Sequence, residues 1–328
     1  MLDVQQIFRF LDRYPETSTI IINGGDPLVI KPEYYWEILE YIRKKRLLTN
    51  ISFTTNLWDF CQSPNKWRDL FNQPEVGVTT SFQFGPGRTK ANGEVYSESD
   101  FWKASDLMLK YCGYRPDFIS VINSENEHFA IDNVALAKKM SEGKKPGTGP
   151  SGEKIGVECK LNYMMASGTP VYHRGAKKYI GAGEQVYELS RIYQIYLQVY
   201  RENLTDWEFN TKQLRVRLKG GATSCPQNRN CDEGIRALNP DGSYYSCGAF
   251  GDDKDKGIDF ELEVSEGKFF TPLSSDPELF SLKQECLTCP MFQICNGCRK
   301  TIKDMKKFGV VESHCSKMKS IANEILAI

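Results

Sequence analysis

Neither sign of charge is in excess in this chain: 42 Lys and Arg stand against 42 Asp and Glu over 328 residues. No stretch gathers the dense basic patch that binding a phosphate backbone requires, so nucleic acid is not the expected partner. Long apolar runs are missing too. None approaches the roughly 18 residues that span a bilayer, so no membrane association is expected. The opening MLDVQQIFRFLDRYPETSTI is studded with charge where a secretion signal needs an apolar core of about 7 to 15 residues. A cytoplasmic protein is expected, in which thiols stay reduced and clustered cysteines hold metal or do chemistry more often than they form disulfides. Histidine is scarce: His128, His173 and His314 are the only three, each isolated in sequence and expected at the surface or capping a helix rather than on a metal.

The length exceeds what a single core of about 250 to 300 residues encloses. A barrel-sized domain over 1–215 and an appendage over 216–328 are expected. Val4, Ile7, Phe8 and Leu11 recur at helical spacing, Pro15 closes that helix, and the run TSTIII at 17–22 predicts a strand. Pro32 opens a second helix with Trp36, Leu39 and Ile42 on its apolar face. Strands expected at 51–55, 76–82, 117–122 and 156–163 alternate with helices near 65–72, 100–112, 129–140 and 183–202. This is the α/β pattern of a parallel sheet wound by helices, interrupted by SEGKKPGTGPSGEK at 141–154, which reads as a solvated loop. Chemistry in such folds gathers at the C-terminal ends of strands. Those ends read GGD (24–26), TTN (54–56), SFQ (81–83), NSEN (123–126) and NYMMASG (162–168), mostly polar, as a shared small-molecule site would be. The chain enters on a helix, so the strand that should precede it in a repeated strand-helix barrel is missing.

Eleven cysteines are unevenly placed. Cys61, Cys112 and Cys159 are scattered and expected as buried structural thiols. The other eight crowd into 225–328, four of them in CLTCPMFQICNGC at 286–298. Thiolates at CxxC spacing serve a zinc tetrahedron and an iron-sulfur cube equally well, so that segment alone leaves both open. Eight cysteines make two four-thiolate sites either way.

The wider pattern is Cys225-x5-Cys231-x10-Gly242-x4-Cys247, a gap, Cys286-x2-Cys289-x5-Cys295-x2-Cys298, a second gap, then Cys315. It closely resembles the SPASM domain, the C-terminal module of radical S-adenosylmethionine (SAM) enzymes that modify peptides and proteins. The family more often has CxxxC where Cys295 and Cys298 stand as CxxC. The resemblance implies two auxiliary 4Fe-4S clusters, the first on Cys225, Cys231, Cys247 and Cys298 and the second on Cys286, Cys289, Cys295 and Cys315. Gly242, in NPDGSYYSC, would sit in a turn that needs a permissive backbone. The front of the chain resembles the same enzymes. GGDP at 24–27 is similar to their GGEP motif, which implies that Gly24, Gly25 and Asp26 hold the SAM amino group. TTN at 54–56 is similar to their TNG motif, with Thr55 and Asn56 facing SAM and Leu57 where glycine is usual. Ser81 and Asn123 fall at strand ends that face SAM in the family.

The implied fold is a partial (β/α)6 radical SAM barrel missing its first strand, followed by the small Cys-rich module. The family's CxxxCxxC, which holds a third, catalytic 4Fe-4S cluster, does not occur in residues 1–328; Met1 falls where the family is past both that motif and its strand. The expectation is a shortened radical SAM enzyme or a degenerate relative, the former preferred because polar strand ends have little use in a purely structural protein. The implied activity is hydrogen abstraction from a peptide or protein side chain by a deoxyadenosyl radical, with flavodoxin or ferredoxin as electron donor. Eight cysteines would ligate both auxiliary clusters fully, which suits electron transfer. Gly248 stands where sulfatase-maturing members have an aspartate, and Asp252 and Asp253 read as a solvated turn. Tyr193, Tyr196 and Tyr200 have helical spacing and read as core; Tyr244 and Tyr245 would shield a cluster or line a strand face. The competing readings are a zinc- or iron-sulfur-stabilised protein-binding module without catalysis, and a cluster-bearing inactive partner subunit.

Overall fold

The computed structural model describes residues 2–22, 25–85, 88–90, 93–150, 152–164, 171–173, 178–180, 187–221, 234–249, 257, 282–295 and 298–328, with only the backbone at 171–173, 178–180, 287 and 293. By internal contacts the chain forms two units. One comprises Met1–Ser120, His128–Leu161 and Asp206–Phe209, the other Val121–Glu127, Asn162–Thr205 and Asn210–Ile328. No helix among the described residues is long and apolar enough to cross a membrane.

Helix α1 (Val4–Arg13) starts at Asp3, whose carboxylate accepts from Gln5 N at 3.0 Å, and buries Ile7 and Leu11. Strand β1 (Thr19–Ile22), α2 (Pro32–Lys45), β2 (Asn50–Thr55), α3 (Trp58–Gln62), α4 (Pro64–Phe71), β3 (Val76–Ser81), α5 (Glu98–Cys112), β4 (Asp117–Ile122) and α6 (Ala130–Met140) follow. A small hairpin, β5 (Gly147–Thr148) with β6 (Lys154–Ile155), occupies the segment expected as a loop, and β7 (Cys159–Tyr163) completes the sheet. The sheet order is β1-β2-β3-β4-β7. Five parallel strands form the curled half-barrel with helices that the sequence leads one to expect.

On one face Ile51, Phe53, Val78, Thr80 and Phe118 are buried, the first three packing with Tyr35, Ile38, Leu39 and Ile42 of α2 and Trp67, Leu70 and Phe71 of α4, and Phe118 with Phe101 of α5. On the other, Ser52, Thr54, Gly77, Thr79 and Ser81 stay partly or fully accessible. Parallel sheets are usually apolar on both faces; this one keeps a polar, open face, as a ligand-binding barrel interior does. Trp36, expected on the apolar side of α2, is partly buried and packs against the core, where it is joined by Tyr35. Tyr35 aligns at i, i+3, i+4 and i+7 with Ile38, Leu39 and Ile42, is fully enclosed, and donates its hydroxyl to Pro27 O at 2.8 Å.

The second unit contains hairpin β8 (Val171–His173) with β9 (Lys178–Ile180), α7 (Leu189–Arg201), α8 (Phe209–Leu218), hairpin β10 (Ala237–Leu238) with β11 (Tyr244–Tyr245), and the short helices α9 (Phe292–Cys295), α10 (Arg299–Lys307), α11 (Val311–Ser320) and α12 (Ala322–Leu326). Gly242 turns between β10 and β11 with φ +84, the conformation that favours glycine. Tyr193 and Tyr196 are core, as expected, whereas Tyr200 is 36 % exposed at the end of α7.

The start of α5 is held by a reciprocal cap. Ser97 Oγ accepts from Asp100 N at 3.2 Å, the Asp100 carboxylate accepts from Ser97 N at 3.0 Å and Ser97 Oγ at 2.6 Å, and Lys90 pairs with it at 2.9 Å. The Ser97 hydrogen bonds, then Lys90, push the Asp100 pKa down to about 2. A carboxylate whose folded pKa lies below its free value of 3.8 stabilises the fold above that pH and loses the contribution as pH falls through about 2. Asp100→Asn is therefore expected to destabilise by about 0.5–2 kcal/mol at neutral pH, and denaturant titrations across the acid range should show the gap to the wild type closing.

Candidate functional site

In the first unit the polar strand ends converge on Asp26. Gly25, at φ +113, turns the chain after β1, and the Asp26 carboxylate accepts from Leu28 N at 2.9 Å, from Thr55 Oγ1 at 2.9 and 3.1 Å, and from Asn56 N at 2.8 Å. One side chain thus caps the turn at Pro27–Val29 and ties it to the end of β2. Three donors leave part of the carboxylate's capacity of about four acceptor sites free. Gly24 lies outside the described residues. Asn56 Oδ1 accepts from Trp58 N at 2.7 Å, and Thr55 Oγ1 from Leu57 N at 3.0 Å. These are the bonds of a tight strand-to-helix turn.

Leu57, where the related motif has glycine, adopts φ +61 and ψ +12 while its side chain is completely buried. The left-handed backbone costs roughly 1–2 kcal/mol, and enclosing a leucine side chain returns about 1.5–3 kcal/mol. Core packing offsets the strain.

Ser81, at the end of β3, accepts from Arg88 Nη2 at 2.6 Å. Arg88 was not foreseen from the sequence. It stands on a short loop-back in which Thr89 bridges Val95 and Tyr96 N donates to Arg88 O, and its guanidinium lies 5.7 Å from the Tyr96 ring centre. Burial presses the Arg88 pKa down, while Tyr96 and the nearby charge of Asp26 oppose that; burial pushes the Tyr96 hydroxyl up to about 12. Among the described residues the guanidinium makes one hydrogen bond, to Ser81, out of five possible donors. An acidic and a basic group with spare capacity, Asp26 and Arg88, are thus coupled in one unit.

Asn123 belongs to the second unit and is committed to its own turn. Its Oδ1 accepts from Glu125 N at 2.8 Å and Asn126 N at 3.1 Å, while Asn126 Oδ1 accepts from Asn123 N at 2.8 Å. Glu127 beyond it accepts from Tyr187 OH at 2.8 Å and pairs with Arg191. These polar residues bind the turn to α7.

The same unit gathers four cysteines around one small, partly open pocket, lined by Cys286, Cys289, Cys295 and Cys315 with Leu282, Met291, Phe292, Met318 and Lys319. Cys286 sits on the tight turn Gln284–Thr288, Cys295 ends α9 and Cys315 is on α11. Burial pushes the Cys295 thiol up, and its neighbours Cys289, Cys315 and Cys286 act in the same sense. Cys315 is raised by burial and by Cys286, against Lys283 and Lys319. Those lysines pair with Glu312 and Glu285 at 3.0 and 2.8 Å. Among the described residues no three His, Cys, Asp or Glu are placed to hold a single metal ion. Cys298 is buried beside Tyr163, and Cys247 packs against Tyr245. Cys225 and Cys231, like Asp252 and Asp253, lie outside the described residues. Of the scattered thiols Cys159 is fully buried; Cys61 and Cys112 are partly buried, enough to push each to about 11.

His314 corrects one expectation. It is not at the surface but completely buried, with neither ring nitrogen hydrogen-bonded, and burial presses its pKa down to about 4. It shares the inner face of α11 with Met318 at i+4, and α11 packs on α7. That spacing was the available signal. His128 is exposed, as expected.

No protein-family model matches the chain, and no curated protein is detectably similar to it in sequence. Among solved structures, native anSMEcpe with bound AdoMet superposes with a TM-score of 0.65 at 18% identity, covering 100% of this chain and 89% of that one. Native anSMEcpe with bound AdoMet and the Kp18Cys peptide matches at a TM-score of 0.61 and 17% identity, over 97% and 91% of the two chains. The structure with the Cp18Cys peptide matches at 0.65 and 17%, over 100% and 91%. At this identity the likeness is one of fold.

The strain at Leu57 is open to test. Leu57→Ala keeps the left-handed backbone and loses the packing, and should destabilise by about 2–5 kcal/mol. Leu57→Gly loses the same packing but relieves the strain, so its unfolding midpoint should lie above that of the alanine variant; the reverse order would show that Leu57 is not strained.

Proposed function

We propose that this chain is a radical SAM/SPASM-type maturase component: it binds SAM at the strand ends of the half-barrel and carries 4Fe-4S clusters on its C-terminal cysteines, to modify a peptide or protein side chain. The observation that carries the reading is the set of four thiols, Cys286, Cys289, Cys295 and Cys315, around one pocket. A zinc ion draws four sulfurs to about 2.3 Å from a single point. A four-iron cube takes one thiolate per iron and so spreads them around a larger volume, as four thiols lining one pocket would. Cys225, Cys231, Cys247 and Cys298 would hold a second cluster. Lys283 and Lys319 would temper the negative charge of the first.

Within the half-barrel, the ammonium and carboxylate of SAM's methionine moiety complement Asp26 and Arg88. Asp26, held by Leu28, Thr55 and Asn56, offers its remaining acceptor capacity, with Gly25 leaving the backbone open beside it. Arg88, steered by Ser81, offers unused donors in a fork that matches a carboxylate. With a catalytic cluster on a CxxxCxxC segment, these cofactors supply a deoxyadenosyl radical for hydrogen abstraction; the protein's part is to orient the ligand and exclude water. The peptides bound to anSMEcpe on the same fold favour a peptide as substrate, and the auxiliary clusters would exchange electrons with a flavodoxin or ferredoxin. A cytoplasmic setting suits such clusters.

Anaerobic reconstitution followed by iron, sulfide and zinc analysis tests the cluster reading. About eight irons with matching sulfide per chain are expected for two four-iron clusters. Zinc without sulfide would leave the protein-binding module instead. Cys286→Ser and Cys315→Ser should each lose iron. By equilibrium dialysis, Arg88→Ala should weaken SAM binding at least about tenfold, the measure of a lost charged hydrogen bond; unchanged binding would remove Arg88 from the site.

A further inference from the structure

The chain doubles back after β3. Thr89 bridges Val95 in the antiparallel sense, Tyr96 N donates to Arg88 O at 3.0 Å and Lys90 N to Glu94 O at 2.7 Å. That register sets Arg88 opposite Tyr96, and opposite residues of an antiparallel pair share a face. The guanidinium carbon of Arg88 lies over the Tyr96 ring, 5.7 Å from its centre, within reach of a cation–π contact. Such a contact belongs to the ring face and needs no hydroxyl. The short ribbon is fixed from both sides. Tyr96 packs at 6.3 Å from Phe82, which stacks on Phe101 of α5 at 4.6 Å, and Lys90 pairs with Asp100 at 2.9 Å. Arg88 Nη2, in turn, donates to Ser81 Oγ at 2.6 Å.

Arg88 and Tyr96 are both half-buried, and a cation drawn away from water needs compensation. A protein carboxylate would supply it by accepting the in-plane N–H groups, and would leave fewer of the five for a ligand. An aromatic face stabilises the cation from outside that plane and consumes none of them. We propose that Tyr96 is a positioning residue for SAM binding: it holds the Arg88 guanidinium by its face, so that the donors not used by Ser81 remain available to the ligand's carboxylate. The inference rests on the reading that the half-barrel binds SAM through Arg88. Ser81 fixes one N–H of the fork and Tyr96 fixes its plane. Together they give the guanidinium the orientation that two-point recognition of a carboxylate requires. Tyr96 touches Arg88 and acts on the ligand only through it.

The test uses the full chain, with SAM affinity read by equilibrium dialysis and folding by the denaturant midpoint of each variant. Tyr96→Phe keeps the ring face and should bind SAM within about twofold of the wild type, whereas Tyr96→Leu should weaken binding about three- to tenfold. Added to Arg88→Ala, Tyr96→Leu should cost nothing further, the double-mutant signature of a residue that acts through another. A merely structural role would persist in that background. Unchanged affinity in Tyr96→Leu, equal losses in Tyr96→Phe and Tyr96→Leu, or an undiminished loss on top of Arg88→Ala would overturn the positioning role. Should Tyr96→Leu lose its cooperative unfolding transition, Tyr96→Met, which fills the space with a flexible apolar chain, decides by the same three comparisons. A wild-type chain that binds no SAM overturns the reading of the half-barrel itself, and with it this role. Wild-type binding that Arg88→Ala leaves unchanged overturns the role of Tyr96 while SAM binding stands.

Discussion

Parallel pairing of β1, β2, β3, β4 and β7 requires every connection to cross back along the sheet, so each strand ends at the same edge. Helices α2 and α4 cover one face with Tyr35, Ile38, Leu39, Trp67 and Phe71. What remains polar is then confined to the other face and to the strand ends. In the first unit the Asp26 carboxylate ties that edge together by joining the turn after β1 to the turn after β2. Its work is structural and electrostatic at once: it satisfies backbone and hydroxyl donors, and it places a negative charge near Arg88.

The second unit answers a different problem. Thiols from a tight turn, from α9 and from α11 are brought around one pocket by short helices. Burial raises the Cys295 and Cys315 thiols and neighbouring cysteines act in the same sense, while Lys283 and Lys319, paired with Glu312 and Glu285, oppose it at Cys315.

Much of this was legible in advance, for reasons that differ by residue. The strands at 51–55 and 117–122 announced themselves by β-branched and alternating residues, and β2 and β4 lie there. Asp26, Thr55 and Ser81 stood out because polar residues end apolar runs. Arg88 gave no such signal, since it lies seven residues past its strand and reaches Ser81 only when the loop folds back on itself. Asn123, another polar strand end, accepts hydrogen bonds within its own turn. His314 was misjudged because a lone histidine carries no pattern of its own, and only its alignment with Met318 against α7 takes it into the core.

Sequence by itself determined the order of helices and strands, the polar strand ends and the cysteine spacing, because each is a property of neighbours along the chain: periodicity, turn chemistry and CxxC reach. Tertiary structure shows Cys315 beside Cys286, Cys289 and Cys295 around one pocket, the set that the family resemblance implies, and it alone decided that Tyr163 meets Thr301 and that Asp26 and Arg88 share one electrostatic environment. These groups are separated by 20 to more than 130 residues. Their meeting depends on how buried surfaces pack, a condition that no local pattern encodes.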